Sequence, residues 1–217
     1  MEFKHKATVQ KDGKYSVGIS IDQGFMNPDD LIVLGNLAKK YHVNTVMATT
    51  AKKLNFMDVE EQYVNPLWED LEETFGDRLC LPKGKVVVCP GARFCKSATP
   101  GQDNHDLGLE IIKISQAHNA GKVKVGVCAC PTGCVTPRIR DIGVLGSPNG
   151  WMVTVGGNGG RKPGVGEEIA RNLSDEEVVA LIDRIYTYIE ENKKDKERTI
   201  RTIERLGIDH MKAAVLK

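Results

Sequence analysis

The chain has 217 residues, of which 41% are hydrophobic and 27% are charged, as expected for a globular protein of one large or two small domains. Thirty basic residues nearly balance 29 acidic ones, which argues against a protein that coats nucleic acid or an anionic membrane. No stretch approaches the roughly 18 apolar residues of a membrane span, and residues 1–15 contain no apolar export signal. We therefore expect a cytoplasmic protein with neither a membrane nor a nucleic-acid partner.

The first part of the chain, residues 1–78, carries a β-α-β-α pattern. Alternating apolar residues predict a strand over residues 15–21. Asn27 followed by a proline predicts a helix start, because asparagine caps helices well and proline suits the first helical position. A second strand is expected over residues 43–48 and a second helix over residues 64–75. The predicted apolar face of the first helix comprises Leu31, Leu34, Leu37, Ala38 and Tyr41.

The second part, residues 79–217, contains two strands that each lead into a cysteine. Residues 85–88 form a valine-rich strand before Cys89, and residues 123–127 form another before Cys130. This mixture of strands and helices predicts the α+β class. The remaining predicted elements are a helix over 107–118, strands over 142–145 and 151–155, a helix that a capping box opens at Ser174, and a charged link over 192–198.

Four of the six cysteines form two closely spaced pairs, which suggests metal ligation or catalysis and not a disulfide framework. Five residues separate Cys89 from Cys95, and three separate Cys130 from Cys134. A five-residue loop can reach two irons of a cluster, and a helical turn would bring the second pair onto one face. Structural zinc is the first alternative, although its ligand pairs usually enclose two to four residues; structural or redox-active thiols are the second. The remaining cysteines, expected to be buried and apolar, are Cys80 and Cys128.

Three motifs resemble the sirohaem-dependent sulfite and nitrite reductases: residues 87–91 (Val-Val-Cys-Pro-Gly), the two cysteine pairs, and the glycine-rich run over 156–163. The resemblance extends over nearly the whole chain. The chain is similar to small, single-repeat, assimilatory-type sulfite reductases and to the sirohaem part of NADH-dependent nitrite reductases. It implies a ferredoxin-like half domain over 1–78 and an α/β domain over 79–217 that holds sirohaem and a [4Fe-4S] cluster. The implied cluster ligands are Cys89, Cys95, Cys130 and Cys134, of which the last also bridges to the sirohaem iron.

Sirohaem carries many carboxylates, so its pocket must supply cations and backbone N–H donors. Basic residues recur beside the cysteine segments, although each alone could be a solvated surface residue. The glycine run could approach a macrocycle or form a plain turn. It fails the dinucleotide fingerprint, because Lys162 stands where the third glycine would be, so we expect an external electron donor such as ferredoxin or a flavoprotein. The predicted sirohaem contacts are Lys52, Arg93, Lys96, Cys134, Arg138, Arg140, Asn158, Gly159, Arg161 and Lys162.

Sulfite and nitrite are small anions whose reduction consumes protons, so the substrate site needs cations that bind an oxyanion and relay protons. Lys122 and Lys124 lie on one face of a strand and match the family's Lys-x-Lys. Many relatives have an arginine where this chain has Ala51, and Lys53 stands where relatives of the nitrite-reductase type carry theirs. Lysine lacks bidentate geometry, so oxyanion binding could be weaker or altered.

The resemblance implies a reductase that passes six electrons through the cluster to sulfite, with nitrite as the second candidate substrate. Ala51 and the missing flavin region motivate a second hypothesis, an electron-transfer or accessory protein with little turnover. A cluster-only carrier and a structural zinc protein are the remaining alternatives. Larger relatives build each sirohaem pocket from two repeats, whereas this chain has one, so a homodimer is expected.

Overall fold

The computed structural model describes residues 2–79 and 85–216. Its helices and sheets confirm the α+β class, and its contacts divide the chain into two units, Met1–Lys83 and Gly84–Lys217. The domain boundary after residue 78 stays a prediction, and Cys80 lies outside the described residues. None of the helices in the two described ranges is long and apolar enough to cross a membrane.

The first unit combines an antiparallel sheet with two helices. Its strands are β1 (Thr8–Val9), β2 (Tyr15–Ile19), β3 (Thr45–Ala48) and β4 (Leu54–Val59), and its helices are α1 (Pro28–Lys40) and α2 (Glu61–Phe75). The order across the sheet is β1-β2-β4-β3. Val17 and Ile19 of β2 are buried, as their alternation predicts, and share a core with Phe56 of β4 and Trp68 of α2.

Helix α1 begins where the sequence predicts. The Asn27 side chain accepts from the Asp30 N–H at 2.8 Å, and the Asp30 carboxylate accepts from the Asn27 N–H at 2.9 Å. This reciprocal pair satisfies two backbone donors at the helix start. Leu34 and Leu37 are buried, but Leu31 is 52% exposed. The prediction that Leu31 faces the core is wrong. Helical spacing indicates which face of a helix is apolar, but it does not indicate how far the core extends along that face.

The second unit combines a mixed sheet with helices. Its strands are β5 (Lys85–Val88), β6 (Lys124–Cys128), β7 (Ile142–Ser147), β8 (Gly150–Val155) and β9 (Glu167–Leu173), in this order across the sheet. Its helices are α3 (Gly91–Phe94), α4 (Asn104–Ala117), α5 (Asp175–Asn192), α6 (Thr199–Leu206) and α7 (Ile208–Val215). Strands β5, β6 and β7 run parallel, whereas β8 and β9 are antiparallel to their neighbours. The predicted capping box at Ser174 is present and opens α5.

The parallel part of this sheet positions two of the cysteine segments. Val88 at the end of β5 pairs with Val127 of β6, and Cys128 at the end of β6 pairs with Leu145 of β7. Parallel strands end at the same edge of a sheet, so the segments that follow β5 and β6 start side by side. We call this edge, formed by the residues directly after Val88 and Cys128, the cysteine edge.

Candidate functional site

Cys89 is fixed at the cysteine edge by the backbone. Its N–H donates to the carbonyl oxygen of Val127 at 2.9 Å, which extends the pairing of β5 with β6 by one residue. The Ala129 N–H donates to Cys89 Sγ at 3.3 Å. Cys89 is only 4% exposed. A thiolate here would keep a backbone hydrogen bond, which favours the charged form of a buried group.

The segment between Cys89 and Cys95 contains a single helical turn, α3. The Cys95 N–H closes this turn on the Gly91 carbonyl oxygen at 2.8 Å. Further along, the Thr99 N–H donates to the Ala129 carbonyl oxygen at 2.8 Å. We call residues 89–99 the first cysteine loop and residues 129–136 the second. This hydrogen bond ties the end of the first loop to the start of the second.

Cys130 and Cys134 follow β6 in consecutive turns, so the predicted helical turn is wrong. Gly133 explains the difference, because its φ of +72° lies outside the helical region. The Thr136 N–H then closes a turn on the Gly133 carbonyl oxygen at 2.7 Å. Cys130 is buried, whereas Cys134 is exposed. The exposed sulfur is thus accessible to a group from outside the chain.

Asn104, to which no sequence pattern pointed, holds the first cysteine loop together. Its Nδ2 donates to the Cys89 carbonyl oxygen at 2.9 Å and lies 3.6 Å from Cys89 Sγ, and its Oδ1 accepts from the Ala92 N–H at 3.2 Å. Gly91 makes room for it, because a Cβ there would lie 1.6 Å from Asn104 Oδ1. In the sequence, an asparagine near a helix start is simply typical of a cap.

Cys128 is 1% exposed and lies in a small apolar cluster with Cys89 and Ala129, as predicted for a buried apolar residue. A hydrogen bond with Cys89 and burial both raise the pKa of the Cys128 thiol.

The cysteine edge fits a cluster by the chemistry of its donors. In residues 2–79 and 85–216, no group of three or more His, Cys, Asp or Glu could hold a metal ion. Cluster thiolates surround a cube of irons and do not converge on one ion. Two loops that bear thiols at one edge, with a backbone donor on one sulfur, supply the donor set that a [4Fe-4S] cluster uses.

Arg93 and Lys96 lie on the loop that carries Cys95. Arg93 forms ion pairs with Asp103 at 3.4 Å and with Asp106 at 2.8 Å, whereas Lys96 is exposed. Burial would raise the pKa of Asp103, but the first N–H groups of α4 and the Arg93 charge lower it. Arg93 thus has anionic partners within the chain and would share its guanidinium with any bound carboxylate.

Arg138 and Arg140 follow Cys134 and contact the glycine run. A Cβ on Gly157 would lie 2.4 Å from the Arg140 carbonyl oxygen, so only glycine permits this close approach. Arg140 is half-buried and its Nε donates to the Val135 carbonyl oxygen at 2.8 Å, whereas Arg138 is exposed. Burial lowers the pKa of Arg140.

Asn158 uses its side chain to build a turn within the glycine run. Its Nδ2 donates to the Lys162 carbonyl oxygen at 2.7 Å, and its Oδ1 accepts from the Gly160 N–H at 3.2 Å. The backbones of Asn158 and Gly164 exchange two hydrogen bonds of 2.9 Å. The run is therefore an ordered turn, whose exposed residues include Gly159, Arg161 and Lys162.

Lys122 and Lys124 lie at the other end of β6 from the cysteine edge. Strands advance about 3.3 Å per residue, so Lys124 lies about 13 Å from Cys128 along β6. Lys122 is exposed, and Lys124 is half-buried, with its N–H bonded to the Asp141 carboxylate at 2.9 Å. Burial, and then the charges of Lys122 and neighbouring arginines, lower the pKa of Lys124. Lys124 therefore begins the strand that Cys128 ends.

Lys52 and Lys53 belong to the first unit, where they end the connection between β3 and β4. Lys52 Nζ lies 4.2 Å from the centre of the Phe25 ring. The Lys53 N–H donates to Thr49 Oγ1 at 3.1 Å, and its carbonyl oxygen accepts from the Thr49 N–H at 2.8 Å. These contacts hold the connection in shape, and Ala51 is exposed within it.

Two family models match the chain. Residues 8–74 match the nitrite/sulfite reductase ferredoxin-like half domain, and residues 83–217 match the nitrite and sulphite reductase 4Fe-4S domain. Together they cover both structural units in the order that the resemblance predicts.

Among similar proteins, the assimilatory-type sulfite reductase of Nitratidesulfovibrio vulgaris is 30% identical over 97% of this chain and 96% of its own length. The nitrite reductase [NAD(P)H] of Bacillus subtilis is 32% identical over 96% of this chain, which spans only 26% of that protein. The NirA protein of Mycobacterium tuberculosis shares the fold, with a TM-score of 0.77 and 19% identity over 97% of this chain and 41% of its own. Dissimilatory sulfite reductase I does so with a TM-score of 0.82 and 12% identity, over 94% of this chain and 69% of its own.

Proposed function

Because the chain belongs to the nitrite and sulphite reductase family, we propose that it catalyses the six-electron reduction of sulfite to sulfide, or of nitrite to ammonia. The observation that carries this proposal is the meeting of two cysteine loops at one edge of the sheet. The resemblance predicted the family, the reductase class and two cofactors, a [4Fe-4S] cluster and sirohaem. The family models and the similar proteins confirm these predictions.

The proposed cluster ligands are the paired cysteines, and Cys134 is the proposed bridge to the sirohaem iron. When bound, the two groups supply stored electrons and the iron at which the anion is reduced. Cys89 is held by its own N–H and by the Ala129 N–H on its sulfur, so its position is set by the sheet. Cys134 suits a bridge because it is exposed. The other proposed ligands are Cys95 and Cys130.

The cations around the cysteine loops are the proposed partners of the sirohaem carboxylates. Lys96, Arg138 and the end of the glycine run present exposed charges. Arg93 already forms ion pairs with two aspartates, which would compete with a sirohaem carboxylate for its guanidinium. The exposed cations are therefore better placed than Arg93 to bind such a carboxylate. The full proposed set also includes Lys52, Arg140, Asn158, Gly159, Arg161 and Lys162.

Lys53, Lys122 and Lys124 are the proposed substrate cations, which would bind the oxyanion and donate protons to it. The lowered pKa of Lys124 suits an ammonium that must give up a proton. Since Lys122 and Lys124 lie at the far end of β6 from the cysteines of their own chain, we propose a homodimer in which each copy supplies these lysines to the other copy's cofactors.

The proposed electron donor is a separate carrier, such as ferredoxin or a flavoprotein, because the glycine run lacks the dinucleotide spacing. The cytoplasm is the proposed compartment. Cluster ligation needs reduced thiols, which persist in a reducing compartment.

The proposal is tested on anaerobically purified protein by iron, acid-labile sulfide and tetrapyrrole analysis, followed by sulfite- and nitrite-dependent oxidation of reduced methyl viologen. We expect four cluster irons and one sirohaem per chain, with turnover. Cys134→Ala should abolish turnover and Cys128→Ala should retain it, because only the first removes a ligand. Absence of tetrapyrrole, or equal loss in both variants, would contradict the site.

A second candidate is an accessory protein that binds both cofactors and turns over little. Ala51 favours it, since the family resemblance implies an arginine at this position in many relatives. A fully loaded protein without sulfite or nitrite turnover would support this candidate, and turnover restored to such a protein by Ala51→Arg would identify the missing cation as the cause.

A further inference from the structure

Asn104 is placed to act on a proposed cluster ligand without being one. It is 1% exposed at the first position of α4. Its Nδ2 lies 2.9 Å from the Cys89 carbonyl oxygen and 3.6 Å from Cys89 Sγ. The amide group therefore reaches both the backbone and the sulfur of one cysteine.

The orientation of this amide is set by the backbone. A backbone N–H can donate only to the oxygen of an asparagine, and the Ala92 N–H lies 3.2 Å from Asn104 Oδ1. The NH₂ group must then face Cys89. Gly91, at a φ of +56°, leaves the space that this arrangement needs.

Hydrogen bonds to cluster sulfurs are among the features that set a cluster's reduction potential. An N–H donor stabilises negative charge on sulfur, and reduction adds negative charge to the cluster. Donors to a ligand sulfur therefore favour the reduced state and raise the potential. Cys89 Sγ accepts from the Ala129 N–H of the backbone at 3.3 Å, and Asn104 provides a side-chain donor that substitution can remove.

We propose that Asn104 is a positioning residue that raises the reduction potential of the cluster through its N–H···S contact with Cys89. The inference rests on the proposed function, because it requires Cys89 to be a cluster ligand. It assigns to Asn104 a role in electron entry and none in contact with the substrate.

The test compares Asn104→Asp and Asn104→Ala with the wild type in a potentiometric titration of the full-length protein, followed by electron paramagnetic resonance of the reduced cluster. Asn104→Asp keeps the shape and the acceptor for the Ala92 N–H but removes the donors and adds a negative charge, which itself lowers the potential. Asn104→Ala removes the donors without adding a charge. Ser115→Ala, at a buried position on the same helix, is the matched control and should leave the potential unchanged. Iron and sulfide are measured on every sample.

We expect both Asn104 variants to retain the cluster and to have a lower potential. At a fixed applied potential, a tenfold fall in the ratio of reduced to oxidised cluster corresponds to about 59 mV for one electron. A cluster at the wild-type potential in Asn104→Ala would overturn the proposal, because that variant loses the donors and gains no charge. So would a folded Asn104→Asp protein without a cluster, since Asn104 would then serve assembly and not potential. Wild-type protein that binds no cluster would instead refute the proposed function.

Discussion

At Gly91, the absence of a Cβ allows the first cysteine loop to form. We expect Gly91→Ala to lower the free energy of unfolding by clearly more than the roughly 1–3 kcal/mol typical of a strained backbone position, because the new Cβ would also lie 1.6 Å from Asn104 Oδ1. Urea unfolding would measure this. Gly101→Ala is the control: Gly101 also has a positive φ, but nothing lies within 4 Å of its Cβ position. Equal losses in the two variants would mean that the clash adds nothing.

Residue patterns identify the two cysteine pairs but not the residues that surround them, and the role of the cysteines as ligands stays a prediction. The spacing of the two cysteine pairs is a local property, so it can be recognised without the fold. Asn104 contacts Cys89 across 15 positions of sequence, and Gly91 has a role only because Asn104 is there. The Lys-x-Lys motif was equally visible in the sequence, and the predicted strand over residues 123–127 already placed it at the opposite end from Cys130.

At the scale of elements, His118 links the end of α4 to α5. Its two ring nitrogens contact Asp183 at 2.9 Å and Glu190 at 2.8 Å. Burial acts to lower the His118 pKa, but the hydrogen bonds and charges of the two carboxylates outweigh it and raise the pKa above the ordinary value. The protonated imidazole is therefore favoured in the folded protein.

This raised pKa makes part of the stability depend on pH. The contribution is fully present below the unfolded pKa of about 6.5 and is lost as the pH rises through the higher folded pKa. We expect His118→Asn to destabilise the protein at about pH 6 more than at about pH 8.5. Urea unfolding at both values measures the difference, and the same loss at both would show that the contact is not charged.

Element prediction succeeded where the hydrophobic period was strong. The predicted β-α-β-α order of the first part is wrong, because it omits β1 and β4, and β4 lies between β2 and β3 in the sheet. Helices α6 and α7 and the polar edge strand β9 were also missed. The valine-rich strand β5 and the capped helices α1 and α5 lie close to the predicted positions. Strand β9 was not predicted, because its sequence, Glu-Glu-Ile-Ala-Arg-Asn-Leu, has little alternation. Among the strands that the structure describes, β9 pairs with β8 alone. Edge strands can be polar because one side remains unpaired, so their sequences show a weaker pattern.

At the scale of the whole molecule, β6 separates two sets of residues that the proposed reaction needs together. The cysteines follow its last residue, whereas Lys124 is its first. In the proposed homodimer, a second copy would bring the lysine end of its β6 to the cysteine edge of the first. Twofold symmetry would then create two identical sites, each built from both copies.

Complementation between two inactive variants would test this arrangement. One chain would carry Lys122→Ala and Lys124→Ala, and the other would carry Cys134→Ala; each alone should give no sulfite-dependent oxidation of methyl viologen. If the sites are shared, a heterodimer purified through two different tags has one intact site, because the first chain supplies Cys134 and the second supplies the lysines. Twofold symmetry predicts about half of the wild-type activity per dimer.

If each chain contained its own site, the heterodimer would have no intact site. An inactive heterodimer with its cofactors bound would therefore contradict the shared site.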